Sequence, residues 1–212
     1  MRKTAVKYIG FFLLLTVFFA NCKKKENETT EIIKTTPFSG AALDTFRIKC
    51  LNEINFARTT PAAYAEARLK ADYNAGSDNG SYLDIKSRAA VDSLKLQSQL
   101  NTSANKYAAV LNDHKSLSHT YNNTDPSTRA KAEGYNYCMG ENLDLGADPN
   151  FYDINSYPAT AAIQTIRDFI IDEGVEGLGH RNNVMSDTFK KLGLGYYGSG
   201  SYFFFVQDFG SN

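Results

Sequence analysis

The strongest constraint on the fold lies at the end of the chain, where two aromatic-rich runs, Leu192 to Tyr197 and Tyr202 to Phe209, flank Gly198-Ser199-Gly200. Aromatic and β-branched residues suit a pleated, half-buried surface, and a glycine-containing break between two such runs reads as an antiparallel hairpin. Met139 to Leu145 is short and apolar-interrupted, consistent with one more strand. The remaining apolar residues follow a helical period. Leu43, Phe46, Cys50, Leu51 and Ile54 recur at steps of three and four, one face of a helix ending near Arg58. Thr60-Pro61 offers an N-cap and a first-turn proline to a short helix from Pro61 to Lys70. Leu100, Ala104, Tyr107, Ala108 and Leu111 line an amphipathic helix that runs to about His114. Ser156-Tyr157-Pro158 starts a third long helix with Ile163, Ile166, Phe169 and Ile170 on its inner face. Between Ala71 and about Ser87, Asn74, Gly76, Asp78, Asn79 and Gly80 crowd together and predict a surface loop. Helices placed before and between a few strands argue for α+β layers, a sheet covered by helices, rather than a parallel doubly wound sheet.

The N-terminus sets the compartment. Arg2, Lys3 and Lys7 precede an uncharged stretch from Tyr8 through Ala20, the layout of an export signal. The stretch is shorter than the roughly 20 apolar residues of a membrane-spanning helix. Phe19-Ala20-Asn21-Cys22 resembles a bacterial lipobox, with Phe19 where Leu is usual and Asn21 where a smaller residue is usual. Residues 1–21 are therefore read as a lipoprotein signal peptide and Cys22 as the lipid acceptor. Residues 22–37, charged and polar, are read as a disordered tether, and residues 38–212 as a single domain. The mature protein is expected to be anchored to the membrane at the bacterial cell envelope, facing the periplasm or the cell surface.

Lys plus Arg and Asp plus Glu both number 23, so no net charge points to nucleic acid as a partner. Cys50 and Cys138 remain once Cys22 is assigned to lipid, and nothing in the sequence brings them together. The favoured reading is two buried thiols, with a disulfide as the alternative.

Three histidines occur, and two stand in polar, glycine-rich contexts: Leu117-Ser118-His119 and Gly179-His180-Arg181. A carboxylate, Glu141, lies between them in Gly140-Glu141-Asn142-Leu143, and Asp172-Glu173 precedes the second histidine. Imidazole and carboxylate suit a divalent transition metal and also exchange protons near neutral pH. His114 ends the helix of Tyr107 and Leu111, where an imidazole serves the last carbonyls, and it is set aside.

The order of these motifs resembles the CAP superfamily, which includes cysteine-rich secretory proteins, antigen 5 and plant pathogenesis-related proteins, and in particular its bacterial branch. The resemblance rests on Leu51-Asn52-x-x-Asn55-x-x-Arg58, the two histidine motifs, Gly140-Glu141-Asn142-Leu143 and Leu192-Gly193-Leu194-Gly195, and spans roughly Leu43 to Phe209. It implies an α-β-α sandwich with a small antiparallel sheet between helical layers. It also implies a central cleft with two histidines and two acids, which fall here on His119, His180, Glu141 and a second acid. Many members place that acid three residues after a helix Trp. Phe169 occupies the Trp position in this Trp-free chain, which favours Asp172 over its neighbour Glu173. Asn55, Arg58 and Asn142 are read as structural residues near the cleft.

The set is read as a binding module that takes a divalent metal such as zinc, or a small apolar ligand. No convincing nucleophile accompanies it, since Ser118 adjoins His119 in sequence and adjacent side chains seldom face each other. The alternatives are a metal-dependent hydrolase acting on peptide or peptidoglycan, and a platform for envelope or host interaction through the segment Ala71 to Ser87.

Overall fold

The computed structural model describes residues 40–146, 158–199 and 202–212. The expected signal peptide, Cys22, the expected tether and Ser156-Tyr157 lie outside the described residues. Helices α1 (Ala41–Thr59), α2 (Pro61–Arg68), α3 (Lys70–Ala75) and α4 (Ser81–Ser87) open the domain. Strand β1 (Lys95–Leu96), helices α5 (Ser98–His114) and α6 (Pro126–Ala132) and strand β2 (Cys138–Gly146) follow. Helices α7 (Pro158–Ile171) and α8 (Gly179–Met185) lead into the closing strands β3 (Lys191–Ser199) and β4 (Tyr202–Gly210).

The strands form one sheet in the order β1-β3-β4-β2. Strands β3 and β4 pair as the expected antiparallel hairpin, with Tyr196 opposite Phe205, and β2 adds antiparallel to the far side of β4. The short β1 pairs parallel to β3, so the sheet is mixed rather than purely antiparallel. Side chains alternate between its faces, as the pleat requires. Phe203, Phe205 and Phe209 face a core shared with Phe46, Cys50 and Ile54 of α1 and Ile166 and Phe169 of α7. Phe204, Val206 and Leu143 face Ala104, Tyr107, Ala108 and Leu111 of α5. Helices thus cover both faces, the α-β-α arrangement that the motif order implied.

The Leu192-Gly193-Leu194-Gly195 motif has a packing reason. A Cβ at Gly193 would stand 2.3 Å from the Leu100 backbone, and one at Gly195 would stand 2.1 Å from the Ala104 backbone. Only bare backbone lets α5 lie this close to β3. Beyond the two residues paired with β1, the outer edge of β3 is closed by side chains. The Leu194 N–H donates to Asn101 Oδ1 at 2.8 Å, and Arg47 Nε donates to the Leu194 carbonyl at 2.8 Å. Such partners leave fewer open groups on an edge.

The polar segment Ala71 to Ser87 corrects the expectation of a loop: it holds α3 and α4 with a turn between them. Gly76, left-handed at φ 73°, closes α3. The Asp78 carboxylate accepts from Gly80 N at 3.0 Å and Tyr82 N at 3.2 Å, and so starts α4. The turn residues act here as helix stops and starts. Thr60 also departs from expectation. Its hydroxyl donates back to the Phe56 carbonyl at 3.0 Å and makes no side-chain cap to α2.

Cys50 and Cys138 are free and buried in separate parts of the core.

Candidate functional site

His119 lies in the segment after α5, a stretch held by Tyr107. The Tyr107 hydroxyl donates to the Ser118 carbonyl and accepts from Tyr121 N at 3.1 Å. His119 Nδ1 stands 2.7 Å from Glu141 Oε1 on β2, a contact in which the carboxylate is buried and the imidazole half exposed. The other Glu141 oxygen is taken by Arg129 of α6. Arg129 does more than neutralise it. Its Nη1 donates to the His119 carbonyl at 2.9 Å and to the Thr124 carbonyl at 2.7 Å, and its guanidinium lies 3.3 Å from the Tyr107 ring centre. One side chain therefore ties the backbone of His119 to its carboxylate partner. Sequence reasoning missed Arg129. Asp125-Pro126 marks the start of α6, and the Asp125 carboxylate accepts from Thr128 N, but no local pattern tells which residue that helix delivers to Glu141.

His180 opens the first turn of α8. Its Nδ1 stands 2.9 Å from Asp172 Oδ1, at ion-pair distance but without hydrogen-bond alignment. Asp172 follows the last residue of α7 in a left-handed conformation, φ 55°. A non-glycine residue in this region carries strain and persists where its surroundings hold it. Here Asp172 Oδ2 accepts from Arg181 N at 3.1 Å. Arg181 in turn donates from Nε to the Ile170 carbonyl at 2.6 Å and from Nη2 to the Ile171 carbonyl at 2.7 Å, satisfying the end of α7. The His180 ring meets Phe169 edge to face at 5.1 Å. Glu173 is exposed and makes no contact of this kind, so the acid beside His180 is Asp172.

Burial holds the His180 pKa below its ordinary value; Asp172 opposes this, and the nearby His119 adds to it. His180 is therefore neutral at pH 7. The two pairs are close enough for one imidazole to affect the other. On the face of β4 that meets α5, Asp208 stands opposite Glu141 in the sheet register and is fully buried. Burial, and then the Glu141 charge, push the Asp208 carboxyl well above the usual carboxylate range.

Asn142 joins β2 to α8: its Nδ2 donates to Gln207 Oε1 at 2.9 Å and to the His180 carbonyl at 3.2 Å, and its Oδ1 accepts from Asn183 at 2.8 Å. Asn55 and Arg58 tie α1 to neighbouring backbone. Asn55 pairs with both backbone groups of Leu94, at 2.8 and 3.0 Å. The buried Arg58 donates to the carbonyls of Asp92, Val184, Ser186 and Phe189 and fastens the segment before β1 to the end of α8 and the connection that follows it. His114 stacks on Tyr121 with ring centres 3.9 Å apart and takes no part in either pair.

A cleft of about 550 Å³ opens beside His180 and Asp172 and is lined also by Leu117, Leu143, Asp144 and Phe169. Among the described residues, no three histidine, cysteine, aspartate or glutamate side chains gather into a metal-ligating group. Each carboxylate faces its own histidine instead.

Helices on both faces of a small hairpin-built sheet, with two histidine–carboxylate pairs brought together by β2, α7 and α8, define a CAP-type domain. The description of the cysteine-rich secretory protein family, CAP, matches residues 51–209, and the chain belongs to that family. A solved structure with the same fold is an outer surface protein from Borrelia burgdorferi, at TM-score 0.52 and 16% identity, covering 84% of this chain and 98% of that one. An extracellular SCP-domain protein from Bacillus anthracis is similar at TM-score 0.44 and 18% identity, over 68% of this chain and 44% of that one. NaASP2, crystallised with Zn²⁺, is similar at TM-score 0.45 and 15% identity, over 79% of this chain and 80% of that one. A search of the curated proteins finds no match.

Proposed function

We propose that this CAP domain is a binding module displayed outside the cytoplasm on a lipid anchor at Cys22, and that His119 and His180 take up a divalent metal such as zinc. The observation that carries the reading is the common geometry of the two pairs. In each, a buried carboxylate stands against Nδ1, which leaves Nε2 as the nitrogen for a ligand. A carboxylate on the far nitrogen orients metal-binding imidazoles and raises their basicity. The lowered pKa of His180 favours the neutral ring that ligation requires. On this reading Glu141 and Asp172 orient rather than ligate, which also suits the absence of a three-residue donor group among the described residues. Two imidazoles leave coordination positions for water or for a ligand held in the cleft. When bound, the metal supplies a positive charge that polarises a donor atom of that ligand.

Display outside the cytoplasm accords with the naming of the Borrelia burgdorferi fold relative as an outer surface protein. On this reading attachment falls to Cys22, because Phe19-Ala20-Asn21-Cys22 resembles a lipobox. Calorimetric titration of the full chain with Zn²⁺ tests the metal. Saturable binding that disappears in the His119→Ala, His180→Ala double variant supports it, and equal binding in that variant, or none in the wild type, overturns it. Loss of membrane retention in Cys22→Ser tests the anchor.

A further inference from the structure

Two buried carboxylates meet beside His119, and one cation serves them. Asp208 of β4 stands directly opposite Glu141 of β2, a register in which side chains on one face lie roughly 5 Å apart at their Cβ atoms. Its carboxyl is fully buried and within hydrogen-bond reach of the Glu141 carboxylate. Glu141 is well served, with His119 Nδ1 at 2.7 Å and the Arg129 guanidinium against its other oxygen. Asp208 lacks such partners, since neither of its oxygens has an aligned hydrogen-bond donor among the described residues. The Ser103 hydroxyl of α5 lies close by but out of alignment. Cys138, also of β2, is the other titratable group nearby, and burial pushes its thiol up to about 12, so it stays neutral at pH 7. On β3 the residue opposite Asp208 is Gly193, which brings no side chain.

These contacts locate the proton. A fully buried carboxylate without a donor is costly when ionised, and two carboxylates at one site resist carrying a charge each. Arg129 balances one of the two charges and stands against Glu141. The charge therefore rests on Glu141 and the proton on Asp208. The direction of the Asp208 pKa agrees, raised by burial first and then by the Glu141 charge. A neutral carboxyl has one O–H to give, and an ionised carboxylate accepts at about four positions. Glu141 thus has room for a third donor beyond His119 and Arg129.

We propose that Asp208 is a neutral acid whose O–H donates to Glu141, and that this third contact holds the Glu141 carboxylate in place for the His119 imidazole. Asp208 is then a positioning residue that acts on His119 through Glu141. The placement of the proton follows from the two carboxylates and Arg129 alone. Its effect on zinc rests on the reading of His119 as a metal-binding imidazole.

The test labels the aspartate side-chain carboxyls of the full chain with ¹³C and follows them by NMR. At pH 8 ordinary aspartates are ionised, as is Asp144 with its pKa of about 6. One carboxyl carbon is expected to keep the shift of the protonated acid there, and to be missing from Asp208→Asn. Zinc titration of the same proteins reads the positioning role. Asp208→Leu, which removes the donor at similar volume, should weaken zinc about tenfold, and Asp208→Asn, which restores an N–H donor, should recover most of that loss. A full set of ionised aspartates at pH 8, or a protonated signal that persists in Asp208→Asn, overturns the placement of the proton. Equal zinc affinity in the wild type and Asp208→Leu, or equal weakening in Asp208→Leu and Asp208→Asn, overturns the positioning role. A wild type that binds no zinc overturns the metal reading instead, and the NMR signal still decides the state of Asp208.

Discussion

Glu141 faces two partners at once, with Oε1 2.7 Å from His119 Nδ1 and Oε2 against the Arg129 guanidinium. The carboxylate is buried, so those contacts are what replace water around it. Arg129 has little exposed surface and bridges three backbone and side-chain groups. Breaking a buried pair by removing one partner costs about 3–5 kcal/mol, because it strands a charge. Arg129→Ala should lower stability to urea by about 3 kcal/mol. Arg129→Lys should recover less than half, because an ammonium lacks the planar fork that spans these acceptors. A loss below about 1 kcal/mol in Arg129→Ala would show that the pair is poorly coupled to the fold.

If Glu141 orients His119 for a metal, Glu141→Gln should weaken zinc binding by about 10- to 100-fold without abolishing it, the range typical of a lost orienting partner. His119→Ala should do more, since it removes a donor nitrogen. Calorimetry on both variants ranks them, and a Glu141→Gln effect as large as that of His119→Ala would make Glu141 a direct ligand.

Gly195 lies where α5 meets β3, with the Ala104 backbone 2.1 Å from the position of an added Cβ. Backbone cannot swing aside as a flexible side chain does, so α5 must lift from the sheet. Gly195→Ala should cost about 2 kcal/mol or more, by the usual penalty of overpacking. For a domain of this size that corresponds to a fall in Tm of roughly 4–8 °C. Gly179→Ala is the control, because nothing lies within 4 Å of its added Cβ. Its Tm should stay within about 2 °C of the wild type, the scale of an ordinary surface change.

Asp144 makes stability depend on pH with a definite sign. Its folded pKa, about 6, lies above the ordinary aspartate value, so the folded state holds the proton more tightly than the unfolded chain does. Its contribution is most favourable below about pH 4 and is lost as pH rises through 6. Asp144→Asn removes the ionised form. The variant should gain about 1–2 kcal/mol over the wild type at pH 8, a value reduced for the solvent that reaches Asp144 from the cleft, and nothing at pH 4. Thermal unfolding of both proteins at the two pH values measures this difference, and equal gains at both would assign the effect to packing.

Much of the fold is legible in the chain because its signals are local. The closing aromatic runs reverse within three residues, and the α5 face repeats every three or four. The segment from Ala71 to Ser87 reads wrongly as a loop because Gly, Asp and Asn serve equally in loops and at helix ends. Only the closure of α3 by Gly76 and the bonds from Asp78 decide between these uses.

The amino-acid order is enough to specify the kinds of element, their succession, and the motif residues His119, Glu141 and His180 as candidates, because period, turn chemistry and motif order are written in neighbouring positions. Packing in three dimensions is what settles that Arg129 joins His119 to Glu141, that Asp172 rather than Glu173 meets His180, and that Arg58 fastens the segment before β1 to the end of α8. Those outcomes depend on how helix ends dock against a sheet. Asp172 turns inward because α7 stops at Ile171 and Arg181 donates to its last carbonyls, a condition set by packing between segments rather than by any one of them.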